Sequence, residues 1–449
     1  MMRRGSRFGL LCLSLAARRC ISGSSGTSYC AGSSGAYQAL SDDFTLDKVL
    51  VIHRHGDRAQ ISTSIGPLWP EDQAITSFWE TKMPTITSRK TMATAFQSSA
   101  EGAVTLDDHL YAGEDKARMP YAMLSELGVN QLIEVGRHLR ERYVHSGFMT
   151  GDYAKSKEEV YIRSTNMCRT LQSLRGLVAG LYDLDGDIHD SALLKKEALQ
   201  VDTRTKEHET MFPKGACAGI VQRRAEVLTP EQYHESTTDY AGLERKMRKV
   251  LGTASEDSVN WLTTKEILTC HRVHGREYIP AITEAEEDRV SDVAGWMWGK
   301  LYSDDILNRL AIGRFLREML DDLSTVHNDK KLLVYSGHDS TLVPLLCALR
   351  IYDNKWPPYA SYLTLEIATR KSSGEKFVRA NYNDAALPML GQEEELIPLS
   401  VFEARLSSLS ISEEEYQKAF DPSTAQQSLA FMQEMARNRA EVAATTGGK

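Results

Sequence analysis

Three short segments of this chain carry residue types suited to phosphate chemistry. Arg54-His55-Gly56-Asp57-Arg58 sets an imidazole between two guanidinium groups, Arg163 closes the apolar run Val160-Tyr161-Ile162, and His338-Asp339 joins a second imidazole to a carboxyl. Hydrolysis of a phosphate monoester needs positive charge around its oxygens, an in-line nucleophile and an acid for the departing alcohol. Arg54, Arg58 and Arg163 offer forked donors matched to phosphate. A neutral imidazole at His55 is a competent nucleophile at acidic to neutral pH, its unperturbed pKa being about 6.5. Asp339 is the candidate proton donor, a role that calls for acidic conditions or a raised pKa. Backbone N–H groups of a helix expected directly after Arg58 would add to the phosphate cradle. Each segment alone has an ordinary alternative: a turn with solvated charges, a surface ion pair at Arg163, a helix cap at His338-Asp339. Three of them in one chain are harder to explain that way.

The elements around them say how they would meet. Lys48–His53, Glu159–Ile162 and Lys331–Tyr335 are short apolar, β-branched runs that read as buried strands, each ending at one of the three segments. Tyr362–Ala368 and Phe377–Tyr382 read as two further strands joined by a Ser-Ser-Gly turn. Helical spacing marks 125–143, with Ser125 as cap, then 166–182, 281–323 and 342–349. Ser412 and Glu415 have the spacing of a capping box. Strands alternating with helices predict an α/β fold, with a central mixed, mostly parallel sheet flanked by helices. Ligands in such sheets sit outside the carboxyl ends of the strands, where the three segments fall. Residues 61–119 show no periodicity and are expected to be mostly irregular. Residues 183–280 are polar and helix-compatible, without a convincing strand, and are expected to form an inserted helical cap. The expected organisation is therefore a leader over 1–42, an α/β core over 43–182 and 281–440, the cap over 183–280, and a flexible tail over 441–449.

The 449 residues suffice for such a core plus insertion, and a formal net charge of -8 argues against nucleic acid as a partner. Of seven cysteines, Cys12, Cys20 and Cys30 lie in the leader and Cys168, Cys217, Cys270 and Cys347 are scattered, so a disulfide scaffold is not expected. Cys270-His271 with His274 lacks a second ligand pair at zinc spacing and reads as polar surface near a loop. Trp69, Phe78 and Trp79 suit either an apolar entrance or, by preference, the core. The leader has Arg3, Arg4, Arg7, Arg18 and Arg19 around an apolar run from Phe8 to Ala17, and no acidic residue precedes Asp42. That composition suggests a mitochondrial transit peptide, with a secretory signal as the alternative. The run is too short to span a bilayer, and no transmembrane span is expected elsewhere.

VLVIHRHGDR from Val49 resembles the signature of the histidine acid phosphatase family, a branch of the histidine phosphatase superfamily. YIRSTNMCRTLQS from Tyr161 resembles its second arginine segment, YSGHDSTL from Tyr335 its His-Asp segment, and LSELGVNQ before a helix ending LRERY also fits. The likeness runs from about residue 46 to 420 and is weakest in the middle third. It implies a phosphohistidine at His55, protonation of the leaving alcohol by Asp339, phosphate binding by Arg54, Arg58, Arg163 and His338, and neither metal nor cofactor. IYDNKWPPYASYLTLE, KFVRANYN and PLSVFEARLSSLSISEEEY are most similar to mitochondrial members that act on lysophosphatidic acid. They imply a lipid or other bulky phosphomonoester as substrate. Two departures stand out: Gln60 replaces the usual proline, which suggests a less rigid loop, and an acidic stretch over 392–396 replaces the region of the usual late cysteines. A broad-specificity or phytase-like acid phosphatase is the second enzymatic reading. A catalytically idle phospho-ligand binder is a third, disfavoured because nucleophile and acid are both present.

Overall fold

The computed structural model describes residues 37–420, apart from 71, 86, 89–95, 99–118, 185–198, 214–217, 255–256 and 328. Most of the expected leader and all of the expected tail lie outside the described residues.

The five predicted strands lie side by side in one seven-stranded sheet of order β3-β5-β1-β6-β7-β8, with β3 at one edge and β9 also pairing β7. Here β1 is Phe44–Arg54, β3 Val160–Ser164, β5 Leu332–Gly337, β6 Tyr362–Arg370, β7 Lys376–Tyr382, β8 Ala385–Leu387 and β9 Leu396–Pro398. β1 and β3 run parallel to β5, aligning Ile52 with Tyr335 and Ile162 with Val334. From β6 onward every pairing is antiparallel. The sheet is mixed as expected, but parallel pairing is confined to the three strands that carry the candidate residues. Short turns link β6 to β7 and β7 to β8, and such links permit only antiparallel neighbours.

Alternation along the central strands sorts their side chains between two helical layers. Leu50, Ile52, Leu333 and Tyr335 face a core completed by α8 (Asp305–Asp321), α9 (Asp339–Ala348) and α10 (Leu399–Leu409). Val49, Val51, Leu332, Val334 and Ile162 face α2 (Glu126–Leu139) and α3 (Cys168–Tyr182). Both faces are apolar, as parallel strands covered on two sides require. Ser125 caps α2 as predicted, its hydroxyl accepting from Gly128 N–H at 3.1 Å. Ser412 and Glu415 complete their predicted box ahead of α11 (Glu413–Phe420).

A third cluster joins α1 (Gln73–Glu80), α5 (Tyr240–Leu251), α6 (Trp261–Val273) and the first turns of α7 (Glu284–Ser303) to Ala59, Tyr121 and Tyr359 beside the sheet's edge. Two expectations need correction. The stretch over 61–119 contains α1 and the short strand β2 (Phe96–Ser98), and the insertion contains β4 (Leu199–Val201), which pairs parallel with β2. Segments of three strand residues carry too little alternation to be read from a sequence. The helices named so far are joined by α4 (Ala218–Val227). Among the described residues no helix is long and apolar enough to cross a membrane.

Candidate active site

Strand β1 delivers the phosphate-type loop, and a close helix crossing fixes its path. A Cβ on Gly56 would stand 2.3 Å from the carbonyl oxygen of Gly128 in α2, so only glycine allows the loop to lie there. Gly56 N–H donates to Ser173 Oγ at 3.0 Å, Asp57 N–H to Gln131 Oε1 at 2.8 Å, and His55 N–H to Gly337 O at 3.0 Å. No helix follows Arg58, contrary to expectation; residues 59–70 are irregular, and the helix that opens at the site is α9, with Asp339 as its first residue.

His55 is buried, and its Nδ1 lies 2.8 Å from Gly56 O. A carbonyl only accepts, so Nδ1 carries the proton and Nε2 keeps its lone pair. Burial, then the charges of Arg54, Arg169 and Arg58 and the neighbouring His338, hold its pKa well below the usual histidine range. The ring therefore stays neutral in mild acid. His338 meets it edge-on at 5.5 Å between centroids and is held through Nε2 by Thr165 Oγ1 at 2.9 Å. Burial and Arg169 are the leading causes that depress His338 as well.

Arg54 donates to Pro357 O at 2.6 Å and pairs with Asp339 Oδ2 at 2.8 Å. Arg58 pairs with Glu266 of α6 and donates to Ala59 O. The ring of Tyr359 lies between them, 4.2 Å from the Arg54 guanidinium and 5.9 Å from that of Arg58, with its centroid 5.8 Å from His55. Asp339 also accepts from Ser340 N–H at 2.8 Å and Trp356 Nε1 at 3.3 Å. Burial would raise its pKa, but Arg54, Lys265 and Arg58 outweigh that and hold the carboxyl at about 2. Without a phosphate among the arginines, Asp339 is ionised rather than poised as an acid.

Arg54, His55, Arg58, His338 and Asp339 thus converge, whereas Arg163 does not join them. Arg163 is still within β3, one residue before its end, on the α8 side, where its guanidinium is buried against Glu209 (2.8 Å), Thr210 (2.9 Å) and Glu318. Its charge is satisfied within the core. The arginine of this segment whose field joins those of Arg54 and Arg58 at both histidines is Arg169, in the first turn of α3 and six residues further along. Alternation held the signal: Val160, Ile162 and Ser164 share one face of β3, leaving Tyr161 and Arg163 for the other.

The loop is also better tied than its missing proline suggests. Gln60 is fully buried; its Oε1 accepts from Trp79 Nε1 at 3.2 Å and His271 Nε2 at 2.6 Å, and its Nε2 donates to Ser62 O at 2.7 Å. Trp79 is accordingly core, and Trp69 donates its indole N–H to Val250 O. Cys270, His271 and His274 are interior residues rather than polar surface. Cys270 Sγ lies 3.0 Å from Tyr359 Oη, and His274 Nε2 is 2.7 Å from Asp57 Oδ2. Tyr359, Arg169, Glu266, Lys265 and Trp356 are the site-forming residues that sequence reasoning missed.

Comparison with known proteins identifies the family. The family model for the histidine phosphatase superfamily (branch 2) matches residues 45–254 and 281–383. Lysophosphatidic acid phosphatase type 6 of Bos taurus is 27% identical over 388 residues, covering 83% of this chain and 85% of that protein. Lysosomal acid phosphatase of Homo sapiens is 30% identical over 294 residues, covering 62% and 67% respectively. Among solved structures, Hafnia alvei phytase in complex with tartrate superposes with a TM-score of 0.56 at 15% identity, over 83% of this chain and 99% of that one. That likeness is one of fold.

Proposed function

The chain belongs to the histidine phosphatase superfamily (branch 2) and is by that membership a phosphomonoester hydrolase; from this premise we propose that it works through a phosphohistidine at His55. The observation that carries the reading is the Nδ1–Gly56 hydrogen bond, which reserves Nε2 for phosphorus within a ring of cations. Arg54, Arg58, Arg169 and His338 bind the phosphoryl oxygens, with Arg169 replacing the expected Arg163. Nε2 attacks phosphorus, the P–O ester bond breaks, and the leaving oxygen takes a proton from Asp339. Water then attacks the phosphohistidine, Asp339 recovers a proton from it, and inorganic phosphate departs.

Asp339 must gain that proton on binding, because the free carboxyl is ionised. A phosphate monoester has its second pKa near 6, so the monoanion abundant in mild acid brings the proton with it. The incoming negative charge also offsets the arginines that depress Asp339. Acidic working conditions follow from this coupling rather than from the His55 pKa.

Lysophosphatidic acid is the first substrate to try, supported by the names and coverage of the type 6 relatives. Residues 183–280 act in this reading as a cap over the leaving-group side, and the Arg-rich leader directs the protein to an organelle, the mitochondrion first and the secretory route as alternative. Purified protein freed of its leader should hydrolyse p-nitrophenyl phosphate and lysophosphatidic acid at acidic pH. Absence of turnover on both rejects the proposal.

A further inference from the structure

Lys265 touches none of the reacting groups in the chemistry above; its part there is the charge that helps hold Asp339 ionised. It projects from α6, is only 6% exposed, and its ammonium lies 4.6 Å from the centroid of the Trp356 ring. It makes no hydrogen bond or ion pair with any described residue. Trp356 in turn donates to Asp339 Oδ2. Lys265, Arg54, Trp356, Tyr359, Gln131 and Thr269 line a cavity of about 100 Å³, roomy enough for a small group. A buried ammonium with no direct ion pair is costly, the charges of Asp339 and Glu266 acting on it only from a distance, and the cavity it lines gives a closer anion a place to sit. Position adds to this. Trp356 links the two places, its indole N–H reaching the carboxyl that protonates the ester oxygen and its ring lying beneath the Lys265 ammonium.

We propose that Lys265 and this cavity form a leaving-group subsite for phosphomonoesters whose alcohol carries a second oxyanion a few bonds from the ester. The inference rests on the phosphomonoesterase reading. A neutral carbonyl, such as the acyl ester of lysophosphatidic acid, is a weaker partner for the same ammonium. The subsite selects only while Lys265 is protonated. Burial and Arg54 lower its pKa to about 7, against the opposing influence of Asp339, Cys270 and Glu266.

The test compares 3-phosphoglycerate with glycerol 3-phosphate, which share a skeleton and differ in a carboxylate against a hydroxymethyl group. The wild-type ratio of kcat/KM should favour 3-phosphoglycerate at pH 5 and fall severalfold between pH 6 and 8. Over that range the carboxylate stays ionised and the phosphate titrates alike in both substrates. Lys265→Met should lower the pH 5 ratio about tenfold, and Lys265→Arg should restore most of it. A wild-type ratio of one or below overturns the subsite, and so does a ratio that is flat with pH or kept within twofold by Lys265→Met. If Lys265→Met does not fold, the wild-type pH series decides alone. Turnover of p-nitrophenyl phosphate with no preference between the pair rejects the subsite and leaves the phosphatase reading standing; no turnover of any of the three or of lysophosphatidic acid rejects that reading instead.

Discussion

Two strands of the same sheet end in arginine-rich segments, and the structure treats them in opposite ways. At the end of β1, Arg54 is the last paired residue, opposite Gly337, and Arg58 lies four residues beyond it; each keeps part of its guanidinium beside His55 and Tyr359. On β3, Arg163 is still within the strand, and its side chain is buried against Glu209, Glu318 and Thr210. The difference teaches that a charged residue reaches the ligand edge only at or beyond the last paired residue of its strand; Arg163, paired with Tyr335, falls one short of it. Within the strand, parity decides which layer the side chain enters. Arg169 satisfies that condition where Arg163 does not.

The largest expected effect is His55→Ala, which should lower kcat by about 10⁴-fold or more with the thermal midpoint little changed. Next comes the direct break of the comparison. Arg169→Ala should cost about 10²-fold or more in kcat/KM while leaving the fold intact. Arg163→Ala should instead destabilise by about 3–5 kcal/mol, because Glu209 is left buried and unpaired. Denaturant melts and steady-state kinetics on both variants would reverse the assignment if the losses were exchanged. Asp339→Asn should lower kcat about 10²- to 10⁴-fold for alkyl phosphates and much less for p-nitrophenyl phosphate, whose leaving group departs without a proton.

A gentler perturbation probes the loop itself. Gln60→Leu strips hydrogen-bond partners from Trp79 and His271 and should cost about 1–3 kcal/mol of stability, with a modest loss of activity. The pH dependence has a sign that can be worked out. The pKa of Asp339 falls from 3.8 to about 2 on folding, so its stabilising contribution is full above about pH 4 and lost as pH falls through 2. His55 is depressed too, but as a base it acts oppositely: below about pH 6.5 the unfolded chain binds a proton that the folded ring refuses, and stability declines. The kcat/KM profile should accordingly show no loss between pH 7 and 5 from protonation of His55. Smallest of all, EDTA should leave the rate unchanged, since the proposed steps need no metal.

The central strands and most flanking helices were legible because their apolar runs and helical spacing are strong local signals; Val49–Ile52 and Leu332–Tyr335 lie in the sheet where expected. The motif residues of β1 and β5 were equally legible, being contiguous in sequence. What escaped notice depends on contacts distant in the chain. Tyr359 matters because two guanidinium groups and Cys270 surround it, and Glu266 because α6 lays it against Arg58; neither has a local pattern. Gln60 shows the same from the other side. Replacing proline looks like a loss of rigidity until Trp79 and His271 supply the restraint. Proton affinity was the least readable property, since the state of Asp339 follows from Arg54 and Arg58 of one distant segment and Lys265 of another.

The most direct measurement is to quench a single turnover in alkali, digest the protein, and locate the phosphoryl group by mass spectrometry and ³¹P NMR. The account predicts phosphorus bound to Nε2 of His55, decaying at the rate of turnover, and absent from His55→Ala. Phosphate on His338, on Nδ1, or on no histidine at all despite a full turnover would contradict it.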